Sequence, residues 1–185
     1  MRGYITLKRL TIFGATLRIH WSAILAAGIL FGTMIREPVH AMLAVGAYAS
    51  VILLHEAGHA FVAKKLGYPP SNIYLTFIHG LCEFEEPYTL KEHAMIAWGG
   101  VLAQLAVALP LMALGHLTSL GSMSPSALLI SILGYFSLLI ALINLAPARG
   151  LDGSIAWQII PILARDLRYW FGSKRTTKAV LRRLK

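Results

Sequence analysis

The chain has 185 residues, the length of one folding unit, with 57% hydrophobic and 14% charged residues and a net charge of +9. An average soluble domain is about one-quarter charged, so this low share and a mean hydropathy of +0.66 argue for a membrane protein and exclude intrinsic disorder. The single cysteine, Cys82, excludes a disulfide-stapled scaffold, and the positions of the basic residues decide whether the charge marks nucleic acid or membrane.

A bilayer core of about 30 Å needs about 20 mostly apolar residues of helix. Four runs approach that pattern. The first, 21–35, is ended by Arg36-Glu37-Pro38, and the second, 39–63, carries His55, Glu56 and His59 within an apolar stretch. Between the second and third runs, Ile73, Leu75 and Phe77 recur at period two, His79-Gly80 interrupts, and alternation resumes over 81–85. That reads as a small β-hairpin. The third run is 93–117, and the uncharged turn-forming residues 118–125 separate it from a fourth, 127–163, broken at 147–150 by Pro147 and Gly150. The remaining 164–185 form a basic tail whose Lys174, Arg175, Lys178, Arg182, Arg183 and Lys185 suit an amphipathic helix on anionic lipid. The basic start before the first run also describes a signal peptide, but no small-residue cleavage pattern precedes Arg36, so a retained segment is expected. The expected fold is an all-α membrane protein in one domain, 1–185, with about four transmembrane helices and a broken fourth. The hairpin lies between helices 2 and 3, and the tail is C-terminal.

Lysine and arginine counts orient these spans. Four precede Trp21, three (Lys64, Lys65, Lys91) lie between spans two and three, nine run from Arg149 onward, and only Arg36 falls on the other side. The positive-inside rule therefore predicts that both termini and the second link are cytoplasmic in a multi-pass cell-membrane protein. The basic charge is an orientation signal, and no nucleic-acid partner is expected.

His55-Glu56-Ala57-Gly58-His59 is an H-E-x-x-H sequence on a predicted helix. Four residues advance a helix by about 400°, which puts both imidazoles on one face, a turn apart, where they can share a Zn²⁺ ion. Glu56 is then placed as general base toward a water that the metal acidifies. Incidental histidines at a helix end are the bland alternative, but three ionisable groups inside an apolar span are costly and point to function. A third ligand is required. Val62 and Lys65 stand where a metzincin needs Gly and His, which excludes that class. Glu83, Glu85, Glu86 or Glu92 could complete a thermolysin-like set, although a solvated acidic face explains them as well. Asp152 is the better candidate, because it follows a Pro/Gly break at membrane depth, where a carboxylate wants a cation. Capping the next helix is its alternative role. Asn144 could bond substrate backbone or an oxyanion, or simply cap the broken helix.

Together, His55-Glu56-Ala57-Gly58-His59 and the later Asn144-Leu145-Ala146-Pro147-Ala148-Arg149-Gly150-Leu151-Asp152-Gly153 resemble the site-2 protease family of intramembrane zinc metalloproteases over most of the chain. That family pairs H-E-x-x-H with N-x-x-P-x-x-x-L-D-G. Arg18-Ile19-His20-Trp21 and the segment 98–104 are weaker similarities; Gly100 and Gln104 stand where relatives carry Pro and Asn, and Gly150 and Ser154 where many carry Pro and Gly. The resemblance implies that His55, His59 and Asp152 bind one zinc, Glu56 is the catalytic acid/base and Asn144 assists. It also implies a transmembrane or signal-peptide-derived substrate, which must unwind to expose a peptide bond. The hairpin around 77–83 could offer a strand edge to the extended substrate. His55 lies sixteen residues past Val39, about 24 Å of helix, toward the cytoplasmic side. A metal-ion transporter would use the same ligands but needs polar residues continuing to both faces, and a catalytically silent binding protein would not need Glu56.

Overall fold

A computed structural model describes residues 3–170, so the expected basic tail lies outside the described residues from 171 onward. The elements in order are β1 (Tyr4–Ile12), β2 (Ala15–His20), α1 (Trp21–Thr33), α2 (Pro38–Lys65), β3 (Asn72–Leu75), β4 (Gly80–Glu83), α3 (Leu90–Leu117), α4 (Ser124–Asn144), α5 (Gly153–Ala156) and α6 (159–170). The described residues are mostly helical, with one small sheet. Among the described residues three helices, α2, α3 and α4, are long and apolar enough to cross a membrane, whereas α1 has 13 residues. At 1.5 Å per residue that is about 20 Å of helix, short of a hydrocarbon core.

Local chemistry sets the helix ends. Pro38 occupies the first turn of α2, where its missing N–H costs nothing. At the other end Tyr68 N–H donates to Ala63 O and Gly67 N–H to Lys64 O, with Gly67 at φ 95°. This is a Schellman stop, which needs a residue that tolerates the left-handed region. A capping box between Thr89 and Glu92 starts α3. Helix α4 contains a seven-residue π segment, Ile130–Phe136, and ends at Asn144. The chain from 145 to 152 is irregular before α5 begins, so the expected break is present and somewhat wider than 147–150.

The expected hairpin between α2 and α3 forms as β3 and β4, pairing Ile73 with Cys82 and Tyr74 with Leu81. One expectation is corrected. The residues before Trp21 also form strands, and the sheet has four strands in the order β1-β2-β3-β4, so the strand content exceeds one hairpin. Strand β3 lies between β2 and β4, with Leu17 beside Ile73 in parallel register, so of the two hairpin strands β4 is the one with a free edge. The inner face of the sheet packs on α2: Leu17, Ile73, Leu75 and Cys82 bury against Ile52 and Ala60. Tyr48 O–H donates to Phe77 O at 2.5 Å, tying the β3–β4 turn to the same helix.

Helices α2 and α3 cross in close contact. A Cβ on Gly58 would collide with Gly99 O, and one on Gly99 would sit 2.7 Å from Gly58 O. Small residues permit this approach, as they do in packed membrane helices. Gly99→Ala is expected to destabilise the fold by about 1–3 kcal/mol through overpacking against backbone that cannot give way. Thermal unfolding in detergent checks this; an unchanged midpoint would contradict it.

Candidate metal centre

His55, Glu56 and His59 are all buried on α2, on the face that meets α3 and the sheet. Asp152 arrives from the irregular segment between α4 and α5. Two tryptophans hold that segment. Trp157 Nε1–H donates to Leu145 O at 2.6 Å, Trp98 Nε1–H of α3 donates to Ala156 O at 3.0 Å, and the two rings meet edge to face. A Cβ on Gly153 would lie 2.5 Å from Ala146 O, so the chain doubles back tightly behind the Asp152 carboxylate.

The ligand atoms converge. Asp152 Oδ2 lies 2.9 Å from His55 Nε2 and 3.3 Å from His59 Nε2, and the two Nε2 atoms are 3.1 Å apart. His59 Nδ1 is 2.8 Å from Ile96 O, which can only accept, so Nδ1 carries the proton. His55 Nδ1 lies 2.9 Å from Gln104 Oε1 and donates in the same way. In the neutral rings both Nε2 atoms are then lone pairs, facing a buried carboxylate oxygen that has no hydrogen-bond donor of its own. Three electron-pair donors pointed at one another repel unless a cation lies among them. The donor set fits a metal, and two imidazoles with one carboxylate match zinc while leaving a fourth position open.

The other acidic candidates are engaged elsewhere. Glu83 Oε2 accepts from Asn72 Nδ2 at 2.6 Å and from Tyr74 O–H at 3.1 Å, and the Asn72 bond holds the carboxyl below its ordinary range. Glu92 is committed to the α3 cap and to Tyr68. Glu85 and Glu86 are not among the residues gathered with His55 and His59.

A cavity of about 460 Å³ opens beside the cluster, lined among others by His55, Glu56, His79, Leu81, Asn144 and Asp152. Asn144 therefore shares the cavity with the candidate ligands, as does His79. A Cβ on Gly80 would sit 2.5 Å from Glu56 Oε1, so the first residue of β4 lies against that carboxylate. Burial pushes the Cys82 thiol up to about 12, so this cavity-lining sulfur stays protonated at neutral pH and is a poor nucleophile or ligand. Sequence reasoning missed the outer layer: the Ile96 carbonyl, the Gln104 amide and the two indoles. The signals for it were the glutamine that interrupts an apolar helix and its place where relatives carry Asn.

No protein-family model matches the chain. It is 36% identical over 118 residues to "Putative zinc metalloprotease sll0528" of Synechocystis, covering 60% of this chain and 30% of that protein. It is 32% identical over 170 residues to "Putative zinc metalloprotease Rip3" of Mycobacterium tuberculosis, covering 83% of this chain and 42% of that protein. The chain thus spans less than half the length of these curated relatives. Among solved structures it is similar in fold to "Site-2 Protease from Methanocaldococcus jannaschii". The TM-score is 0.63 at 24% identity, over 85% of this chain and 71% of that one.

Proposed function

The chain belongs to the site-2 protease family, and from that premise we propose that it is an intramembrane zinc metalloendopeptidase acting on transmembrane or signal-peptide-derived segments. The observation that carries this reading is the convergence of His55, His59 and Asp152 beside Glu56, on a helix long and apolar enough to span a membrane. Residues 1–185 act as one domain. Alongside α2, α3 and α4, the short α1 completes four membrane segments, with both termini and the β3–β4 link cytoplasmic. The cation counts support this orientation, and the Lys91–Asp166 ion pair at 2.9 Å, which joins the start of α3 to α6, agrees with it.

In the reaction, His55, His59 and Asp152 hold the metal. Bound zinc supplies Lewis acidity that lowers the pKa of a water and polarises the scissile carbonyl. Glu56, one residue from a ligand and facing the cavity, takes the water proton and delivers it to the nitrogen of the departing amine. Asn144, at the end of α4 and on the cavity wall, donates to the substrate backbone or the developing oxyanion.

The test is co-expression with single-span substrates, comparing wild type with Glu56→Gln; equal processing overturns the protease reading. The substrate's extended backbone is proposed to pair with the free edge of β4, where Leu81 is 60% exposed on the cavity rim. A photo-crosslinker at Leu81, in the Glu56→Gln background, is expected to label alternate residues of a trapped substrate. Labelling every third or fourth residue would mean the substrate stays helical and would sink the strand-pairing idea.

A further inference from the structure

One face of α3 supplies the surroundings of both imidazoles. Ile96, Gly100 and Gln104 follow one another at intervals of four residues, so they stack along a single side of the helix. The Ile96 carbonyl accepts from His59 Nδ1–H. Gly100 leaves room for the rings: a Cβ there would lie 2.5 Å from His59 Nε2 and 2.8 Å from His55 Cε1. Gln104 meets His55 Nδ1 at 2.9 Å through Oε1.

Gln104 is the unusual member of this stripe. It is 0% exposed, and its Nε2 has no hydrogen-bond partner among the described residues. A buried amide with an unpaired donor is destabilising, so packing alone would favour Met or Leu of similar volume. What the amide supplies is an acceptor. His59 receives its acceptor from the backbone, which any residue at 96 provides, whereas His55 depends on a side chain. Turned the other way, the amide would present N–H to His55 Nδ1, drive the imidazole proton to Nε2 and block ligation.

We propose that Gln104 is a positioning residue of the metal centre: its Oε1 holds the His55 proton on Nδ1 and thereby keeps Nε2 free to bind the ion. This rests on the zinc-site reading given above. Outer-layer partners of ligating histidines are worth about 10–100-fold in metal affinity. The test is zinc retention by the full chain in detergent, titrated against a chromophoric chelator, for wild type, Gln104→Met and Gln104→Glu. Circular dichroism checks the helices of each variant. Gln104→Met is expected to release zinc at a chelator level about 10–100-fold lower than wild type, and Gln104→Glu, which keeps an acceptor, to retain it. Equal retention by Gln104→Met, or equal loss in both variants, overturns the role of Gln104. A wild-type chain that takes up no zinc overturns the underlying site instead. Should Gln104→Met fail to fold, histidine ¹⁵N spectra of the zinc-loaded wild type decide: a slowly exchanging proton on His55 Nδ1 supports the assignment, and exchange as fast as in an exposed imidazole overturns it.

Discussion

Glu56→Gln is expected to lower the rate of peptide-bond cleavage by about 10²–10⁴-fold, the range for losing a general acid/base, while the protein keeps its zinc and its folded state. The two side chains have nearly the same shape, so packing around the buried position is conserved. The amide cannot take a proton from water, and that is the function the substitution removes. Glu56 is also distinct from the proposed ligand set of His55, His59 and Asp152, so the metal should remain. The measurement is single-turnover cleavage of a tagged single-span substrate in proteoliposomes, with metal content determined on the same preparation. Unchanged cleavage would exclude Glu56 from the chemistry. Lost cleavage accompanied by lost zinc would make it a contributor to the site's integrity.

Asp152→Ala is expected to remove both the metal and the activity. Without the carboxylate, two neutral imidazoles 3.1 Å apart are left to hold the ion, and the only anionic ligand is gone. Because a bound ion stabilises the folded state by mass action, about 4 kcal/mol at a thousandfold excess over Kd, chelation should lower the unfolding midpoint of wild type. Added zinc should restore it. Asp152→Ala should show neither response, and its midpoint should match that of the chelated wild type. A variant that still binds one zinc per chain, or a wild type whose stability ignores chelators, would contradict the assignment. Removing the metal costs activity through the ligands and Glu56→Gln costs it with the ligands intact, so the pair separates binding from proton transfer.

Much of this site is visible in the order of residues, because some of its geometry is local. The spacing of His55 and His59 is a property of any helix, and a helix over that stretch follows from its apolar content. The broken segment before Asp152 is visible in Pro147 and Gly150 for the same reason. The N-terminal strands were not legible. Strand β1 shifts register against β2 between Leu7 and Thr11, which spoils the period-two alternation, and several of its apolar residues stay exposed. The pairing of β2 with β3 joins segments separated by two helices, and nothing local encodes it.

Composition and the two motifs by themselves determined a membrane protein with a candidate zinc-binding helix and a later acidic break, since each depends on neighbours within a few turns. Tertiary structure decided which carboxylate meets the histidines, which hairpin strand keeps a free edge, and how each imidazole is held. Those outcomes depend on α3 crossing α2 at Gly58 and Gly99, and on two indoles clamping the Asp152 segment. Such contacts join residues far apart in the chain, and their identity is set by ångström-scale packing that no local periodicity records.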